Sequence, residues 1–433
     1  SVSTVVAAYQ LLEQRQVVEA RHKSGFYISA QRLKRPAAPP KTRGLRPARL
    51  QLSDTIAEIF ANTRNPEHTH FDLALPAPCY QPQAALKAAA NRVLRHNFDQ
   101  TLKMAAIPGN LELRRQIAMR MLQSGCLVSP EQVLITNGCQ EALLLSLQAL
   151  TSPGDRVAIE SPCYHGFLLV LESLGLQVVS IATDSQTGLD LEALNEAADK
   201  WPIKALICSS NFNNPTGARM HDSAKQALLS LAKRHRFVIV EDDILGELAH
   251  KGERHNAIKS FDKEDRVIYC SSFSKSISPG LRVGWVIAGD YQQQVIERQM
   301  ASSTGSASFT QMQVAEYLKS GHFDKHLARV RPLYQQNLQT ALGIIAKNFP
   351  EGTCATNPEG GFLLWVALPK GSDTTELFHR ALEENISFIP GSVFGRRGFA
   401  HCLRISCATE MNEETCRQLA RLGQLACSYT RYK

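Results

Sequence analysis

The sequence predicts an α/β protein with a mostly parallel, doubly wound sheet, and two observations lead to that prediction. From about residue 52 onward, short apolar runs rich in β-branched side chains alternate with stretches of helical periodicity, which is the pattern of successive βαβ units. The chain also has 433 residues, more than the roughly 250–300 that one hydrophobic core supports. We therefore expect at least two domains.

Composition limits the possible function classes. The chain is 44% hydrophobic, and no apolar run approaches the ~18–20 residues of a membrane span, so we expect a water-soluble protein. Its eleven cysteines include no CxxC pair, as is typical of free thiols in a reducing compartment. We therefore predict a cytoplasmic protein and no metal site.

The net charge of +8 is concentrated in the first 50 residues, which hold ten Lys or Arg and two acidic residues. The rest of the chain is electrically balanced. A basic segment of this kind predicts a polyanionic partner, nucleic acid before an anionic membrane. The alternative is a solvated segment without a partner.

The first element in the chain is a helix, predicted from about Thr4 to Gln14 by apolar residues at helical spacing. Two short β-rich runs joined by a basic turn follow, and a helix with a basic hairpin forms the second half of a winged helix-turn-helix. This segment resembles the GntR-type winged helix. The residues that carry the resemblance are Ser1-Val2-Ser3-Thr4-Val5, Ala8-Tyr9, Leu11-Leu12-Glu13 and Ser24-Gly25-Phe26-Tyr27-Ile28. The resemblance implies DNA contacts from Ser3, Thr4, Arg21, His22 and Lys23, and further helices upstream of Ser1.

Residues 30–50 contain four prolines, seven cations and no acid. This composition shows neither helical nor strand periodicity and predicts a semi-extended, solvated linker. The alternative is that part of it packs across the following domain.

In the body of the chain, apolar strand runs are predicted at 133–136, 156–160, 205–208, 237–241 and 267–270. Ligands of such sheets bind beyond the carboxyl ends of the strands, so the residues that follow each run are the candidates. They comprise the Asn137–Gln140 helix start, Tyr164, Asn214, Asp242, and a segment that holds Ser272, Ser274, Lys275 and Arg282. Each has an ordinary structural explanation when taken alone. Together they match the groups that pyridoxal phosphate needs: a lysine, an acid, an aromatic ring, an amide and a phosphate cradle.

The motifs Ser272-Phe273-Ser274-Lys275, Pro279-Gly280-Leu281-Arg282 and Asn214-Pro215-Thr216-Gly217, with Asp242 placed 33 residues before Lys275, resemble a fold-type I aminotransferase. With the winged-helix segment in front, the chain resembles the MocR subfamily of GntR regulators. The resemblance implies a partial winged helix at 1–29, a basic linker at 30–51 and an aminotransferase-like domain at 52–433. That domain would comprise a large part at about 95–315 and a small α+β part at about 52–94 and 316–433.

The resemblance also implies a role for each site residue. Lys275 would form the Schiff base and carry the α-proton, Asp242 would pair with the ring nitrogen, and Tyr164 would stack on the ring. Asn214 would bond the phenolic oxygen. The remaining expected cofactor contacts, all around the phosphate, are Gly138, Cys139, Gln140, Ser272, Ser274 and Arg282. Arg404 would bind the carboxylate of an amino acid.

The sequence departs from the family pattern in two respects. The family usually has a tyrosine two or three residues after the aspartate, which donates to the phenolic oxygen, but Ile244 and Leu245 stand at those positions. Met104 stands near the place of a second tyrosine, which reaches the phosphate of the partner subunit. We expect a homodimeric, DNA-binding regulator that binds pyridoxal phosphate and senses an amino compound or the cofactor itself. The alternatives are a working aminotransferase, whose catalysis these two changes would weaken, and a binding module without cofactor.

Overall fold

The structure is a computed structural model, and it describes residues 2–14, 18–21, 25–28, 47, 65–395 and 398–430. The predicted linker apart from Pro47, and the turn residues His22 and Lys23, lie outside these ranges. Within the described part of the chain, no helix has both the length and the apolar character needed to cross a membrane.

The helices and strands are numbered in chain order. The helices are α1 Val2–Gln14, α2 Gln83–His96, α3 Phe98–Thr101, α4 Leu111–Met121, α5 Cys139–Leu150, α6 His165–Ser173, α7 Leu191–Lys200, α8 Asp222–His235, α9 Gln292–Ser302, α10 Ser308–Lys319, α11 His322–Asn348, α12 Thr374–Glu383 and α13 Glu413–Thr430. The strands are β1 Val18–Arg21, β2 Gly25–Ile28, β3 Thr69–His70, β4 Leu134–Thr136, β5 Arg156–Ser161, β6 Gln177–Asp184, β7 Gly188–Leu189, β8 Ile203–Cys208, β9 Val238–Asp242, β10 Val267–Ser272, β11 Gly284–Ile287, β12 Cys354–Ala355, β13 Leu363–Ala367, β14 Ile386–Ser387, β15 Ile389–Pro390 and β16 Cys402–Ser406.

The N-terminal segment forms the helix and hairpin that the sequence predicts. Helix α1 begins two residues earlier than expected, and β1 pairs antiparallel with β2. The rings of Tyr9 and Phe26 stack with their centroids 4.5 Å apart, which joins the helix to the hairpin. Thr4 lies exposed on α1, and the backbone of Arg21 ends β1. The winged-helix assignment and the DNA contacts stay predictions.

The central sheet has eight strands in the order β4-β11-β10-β9-β8-β5-β6-β7. The inner pairs β10/β9, β9/β8, β8/β5 and β5/β6 are parallel, while β11 is antiparallel to both neighbours and β7 is antiparallel to β6. The predicted mostly parallel sheet is therefore confirmed. Alternate residues of each strand point to opposite sides of the sheet, and helices cover both sides. In β8, Ile207 packs among α5 and α6, whereas Leu206 packs among α7 and α8.

A smaller antiparallel sheet, β12-β13-β16-β15, lies in the C-terminal part with α12 and α13. Strand β3, from near residue 70, pairs with β14, so the segment that precedes α2 belongs to this part. Helix α11 connects the two cores: Phe323 and Tyr334 pack in the cluster of the large sheet, and Leu338 and Ile345 pack in that of the small sheet. The predicted combination of a doubly wound part and a smaller α+β part is confirmed. The domain boundaries themselves stay predictions.

Candidate cofactor site

A cavity lies beyond the carboxyl ends of the parallel strands, with an empty volume of about 870 Å³ including its open mouth. Nine of the ten predicted cofactor residues line it, and the tenth, Gly138, lies beside Arg282, which is one of the nine. The nine are Cys139, Gln140, Tyr164, Asn214, Asp242, Ser272, Ser274, Lys275 and Arg282. Strand ends that are distant in sequence converge here because parallel strands end at one edge of the sheet. The predicted convergence is therefore observed, whereas the role of each residue stays a prediction.

Lys275 is placed by the turn that follows β10. Its Nζ donates to the backbone oxygen of Ala74 at 2.6 Å. Burial is the main cause that lowers the pKa of the ammonium to about 8, and the nearby cation of Arg404 lowers it further while the carboxylate of Asp242 opposes both. A larger fraction of neutral amine is therefore present near neutral pH than an ordinary lysine would have.

Asp242 ends β9 and is 6% exposed. Its Oδ1 accepts hydrogen bonds from the backbone N–H of Ile244 at 3.2 Å and from the thiol of Cys139 at 3.4 Å. Burial raises the pKa of this carboxyl to about 6, although both hydrogen bonds and Lys275 act in the opposite direction. A buried carboxylate of raised pKa is suited to hold a proton on a basic ring nitrogen.

The predicted phosphate cradle comprises the start of α5 and Arg282. Gly138 precedes the helix with φ of 85°, and a Cβ on it would lie 2.6 Å from Arg282 Nη2. Arg282 donates to the backbone oxygen of Asn137 at 2.9 Å and stays close to the helix start. Backbone N–H groups at the first turn, the helix dipole and a guanidinium together favour a bound anion. Ser272 and Ser274 also line the cavity, and Ser272 Oγ accepts a hydrogen bond from the backbone N–H of Ser274 at 3.3 Å.

Tyr164 and Asn214, the residues predicted to cover the ring and to bond its phenolic oxygen, both line the cavity. Tyr164 precedes α6, and its ring meets that of Phe167 edge to face with centroids 5.5 Å apart. Burial raises the pKa of this phenol to about 12, so it stays protonated at physiological pH. The Oδ1 atom of Asn214 accepts from Nη1 of Arg404 at 3.3 Å.

Arg404 lies on β16, is 1% exposed, and is not among the residues that line the cavity. Its Nη2 donates to the backbone oxygen of Asp72, and its Nε has no hydrogen-bond partner within the described ranges. Burial lowers the pKa of the guanidinium to about 10, which still leaves it charged at neutral pH. The predicted carboxylate-binding residue thus sits directly behind Asn214 and is held by the segment that contains Asp72.

Sequence reasoning missed part of the wall. The residues that it did not assign to the site are Ala74, Leu75, Leu143, Ser209, Asn211, Phe212, Ile244, Leu245, Phe362 and Leu363. Of these, Ile244 and Leu245 were identified from the sequence, but only as departures from the family pattern. A signal existed for Ser209 and Asn211, since they lie one and three residues beyond the end of β8. Ala74 and Leu75 precede the large sheet and carry no local signal.

The chemistry of the donors fits pyridoxal phosphate. A lysine amine, a buried carboxylate, an amide and an aromatic ring surround one cavity, and an anion cradle lies at its rim. In the described part of the chain, no cluster of three potential metal ligands occurs. A doubly wound sheet with these groups beyond its strand ends defines a fold-type I aminotransferase-like protein.

Comparison with known proteins agrees with this class. Residues 71–422 match the family model of aminotransferase class I and II, and the chain belongs to that family. It also belongs to the MocR-like group of HTH-type transcriptional regulators with an aminotransferase domain. It is 40% identical over 429 residues to YjiR of Escherichia coli, described as an uncharacterized HTH-type transcriptional regulator. The match covers 98% of this chain and 90% of that relative.

Aminotransferases are similar to it as well. The 2-aminoadipate transaminase of Thermus thermophilus is 34% identical over 381 residues, 87% of this chain and 94% of that protein. The crystal structure of LysN, an alpha-aminoadipate aminotransferase from Thermus thermophilus complexed with N-(5'-phosphopyridoxyl)-L-leucine, superposes with a TM-score of 0.81. It is 32% identical in sequence, and the match covers 88% of this chain and 96% of that one.

Proposed function

We propose that this chain is a pyridoxal phosphate-binding transcriptional regulator whose aminotransferase-like domain senses an amino compound or the cofactor itself. The observation that carries the proposal is the convergence of Lys275, Asp242 and the Arg282 cradle on one cavity, in a chain similar over nearly its full length to an HTH-type regulator. DNA would be bound through the basic N-terminal segment. The free cysteines support a reducing, cytoplasmic location, and the family supports a homodimer.

The cavity residues would hold the cofactor as follows. The start of α5, Arg282 and the two serine hydroxyls would bind the phosphate, and Asp242 would accept the ring-nitrogen proton. Tyr164 would cover one face of the ring. When bound, pyridoxal phosphate would supply an aldehyde that reacts with amines and a ring that withdraws electrons. Lys275 would provide the amine, and its lowered pKa supports that role.

Arg404 would recognise the carboxylate of an amino acid. Its guanidinium is engaged by the backbone oxygen of Asp72, so an incoming carboxylate would compete with that oxygen for the cation. Since the segment around Asp72 leads back along the chain towards the linker, its displacement is a route by which ligand binding could reach the DNA-binding segment. A ligand shifts this equilibrium only if it binds the two states with different affinity.

The second candidate is a working aminotransferase, favoured by the complete set of groups in the cavity and by the similarity to 2-aminoadipate transaminase. Against efficient catalysis, Ile244 lines the cavity near where the resemblance implies a tyrosine hydroxyl, and Met104 stands near the position of the tyrosine that would reach the partner subunit. An apolar side chain cannot stabilise a phenolate by hydrogen bonding.

One experiment tests the regulator against the enzyme. The full-length gene product would be used to select sequences from a random pool of DNA duplexes with and without pyridoxal phosphate, and amino acids would be added to the selected complex. We expect specific DNA binding that responds to an amine, with slow transamination at most. Turnover of several amino acids with 2-oxoacids, without sequence-specific DNA binding, would instead establish the enzyme.

Arg404→Lys gives the matched variant. A point-charge ammonium cannot make the two-pronged contact of a guanidinium, so we expect at least a tenfold weaker response to amino acids with cofactor binding retained. Arg380→Lys, an exposed arginine on α12, serves as the control. An unchanged amino-acid response in Arg404→Lys would remove Arg404 from the ligand site.

A further inference from the structure

Cys139 contributes to the site in two directions. Its backbone opens α5 and so belongs to the phosphate cradle, but its side chain extends away from the cradle to Asp242. The two residues are 103 positions apart in the chain, and both are almost completely buried. One residue therefore connects the end of the cofactor site that would hold the phosphate with the end that would hold the ring nitrogen.

The two hydrogen bonds of Asp242 end on the same oxygen. Cys139 Sγ and the N–H of Ile244 both donate to Oδ1, which fixes the rotation of the carboxylate. Because Asp242 lines the cavity, this rotation leaves its other oxygen, Oδ2, for a ligand. A carboxylate with neither donor could turn about its terminal bond, which is broad and roughly two-fold in aspartate.

The type of donor matters as much as its position. A thiol is a weaker hydrogen-bond donor than a hydroxyl, so it orients the carboxylate and lowers its pKa by less than a hydroxyl would. A hydroxyl at the same place would stabilise the charged form more strongly and make it less basic. Burial raises the pKa of the Cys139 thiol well above its ordinary value, so the thiol keeps its proton and stays a donor.

We propose that Cys139 is a positioning residue for Asp242: its thiol fixes Oδ1 so that Oδ2 faces the ring nitrogen of the cofactor, and it leaves the carboxylate basic enough to retain that nitrogen's proton. This inference rests on the proposed binding of pyridoxal phosphate. It assigns a function to the Cys139 side chain that the phosphate cradle does not require, since the cradle uses only the backbone.

The test distinguishes a Cys139 side chain that positions Asp242 from one that only fills space, and it compares two ligands for each variant. Pyridoxal phosphate and its deaza analogue, in which carbon replaces the ring nitrogen, differ only in the atom that Asp242 would contact. Dissociation constants for both would be measured by equilibrium dialysis between pH 6 and pH 9. The proteins are the wild type, Cys139→Ala, Cys139→Ser and the control Cys126→Ser, a buried thiol outside the cavity that donates to the Ser124 oxygen at 3.7 Å.

The wild type should bind pyridoxal phosphate more tightly than the analogue. In Cys139→Ala this preference should fall about three- to tenfold, the size expected for one hydrogen bond from a weak donor, with little change in affinity for the analogue. Cys139→Ser should keep the preference at low pH and lose it at a lower pH than the wild type, because its hydroxyl makes Asp242 less basic. Cys126→Ser should match the wild type.

Equal weakening of both ligands in Cys139→Ala would show that the side chain only fills space, and an unchanged ratio in both Cys139 variants would show that it has no effect on Asp242. Either result overturns the inference while leaving cofactor binding intact. If the folded wild type binds neither ligand, the proposed function itself fails, and the inference fails with it.

Discussion

Asp242→Asn is expected to weaken cofactor binding and at the same time to stabilise the protein without cofactor. Asparagine has nearly the same shape, and its Oδ1 can keep the hydrogen bonds from Ile244 and Cys139. It lacks the charge, however, and burial of that charge raises the pKa of Asp242 from 3.8 to about 6. One pKa unit corresponds to about 1.4 kcal/mol, so the buried carboxylate costs about 3 kcal/mol of folding stability at high pH.

The sign follows from which state holds the proton. Well below the unfolded pKa of 3.8, the carboxyl is protonated in both the folded and the unfolded chain, so the cost is absent. It grows as the pH rises towards 6 and is constant above that, because the unfolded chain carries the charge in water while the folded protein must bury it. The gain from Asp242→Asn should therefore be full at pH 8 and about half as large at pH 5.

The measurement is the thermal midpoint of the protein without cofactor at the two pH values, at one scan rate. An unfolding entropy of about 2.1 cal/mol/K per residue makes 1 kcal/mol worth about 1 °C in a chain of 433 residues, so we expect a rise of about 3 °C at pH 8. Affinity for pyridoxal phosphate should fall about 10- to 100-fold, the loss of one hydrogen bond to a charged group. The exposed control Asp99→Asn should change neither quantity. A lower midpoint at pH 8, or an unchanged cofactor affinity, would refute the reasoning.

Two further predictions concern the cradle and the lysine. Gly138→Ala should reduce pyridoxal phosphate affinity at least tenfold, because the added Cβ would lie 2.6 Å from Arg282 Nη2. Gly154→Ala is the control, since Gly154 has a similar positive φ but nothing within 4 Å of the added Cβ, and its affinity should not change. Equal losses of affinity in the two variants would contradict a role for the cradle. The rate at which pyridoxal phosphate is captured should rise with pH, reach half of its maximum near pH 8 and level off above about pH 9, since the pKa of Lys275 is lowered to about 8 and only the neutral amine reacts. Stopped-flow absorbance measures this rate, and a rise that continues towards pH 10 would contradict a lowered pKa.

Much of the fold and of the site could be predicted from local sequence. Runs of apolar, β-branched residues identified β5, β8, β9 and β10, and the rule that ligands bind beyond their carboxyl ends brought together Asp242 and Lys275. The antiparallel direction of β11 could not be predicted in the same way, because a short apolar run has the same appearance in a parallel and an antiparallel strand.

The hydrogen bonds that hold the Lys275 and Arg404 side chains in place could not be predicted from local sequence. Lys275 bonds to Ala74 across 201 residues, and Arg404 bonds to Asp72 across 332 residues. Both acceptors are backbone oxygens, which every residue possesses, so no side-chain type marks them in the sequence. The sequence therefore predicted which groups meet at the cavity, and only the structure showed which partners hold them there.

The central claim is that Lys275 is the residue that captures pyridoxal phosphate, and the visible absorption spectrum of the purified chain with added cofactor tests it most directly. The wild type and Lys319→Ala, an exposed lysine at the end of α10, should develop the band of a lysine-bound cofactor, and Lys275→Ala should not. Amino acids that shift the band would name the class of compound that the protein senses. If Lys275→Ala and the wild type give the same spectrum, the assignment of the cofactor site is wrong, and both the regulator and the aminotransferase proposals fall with it.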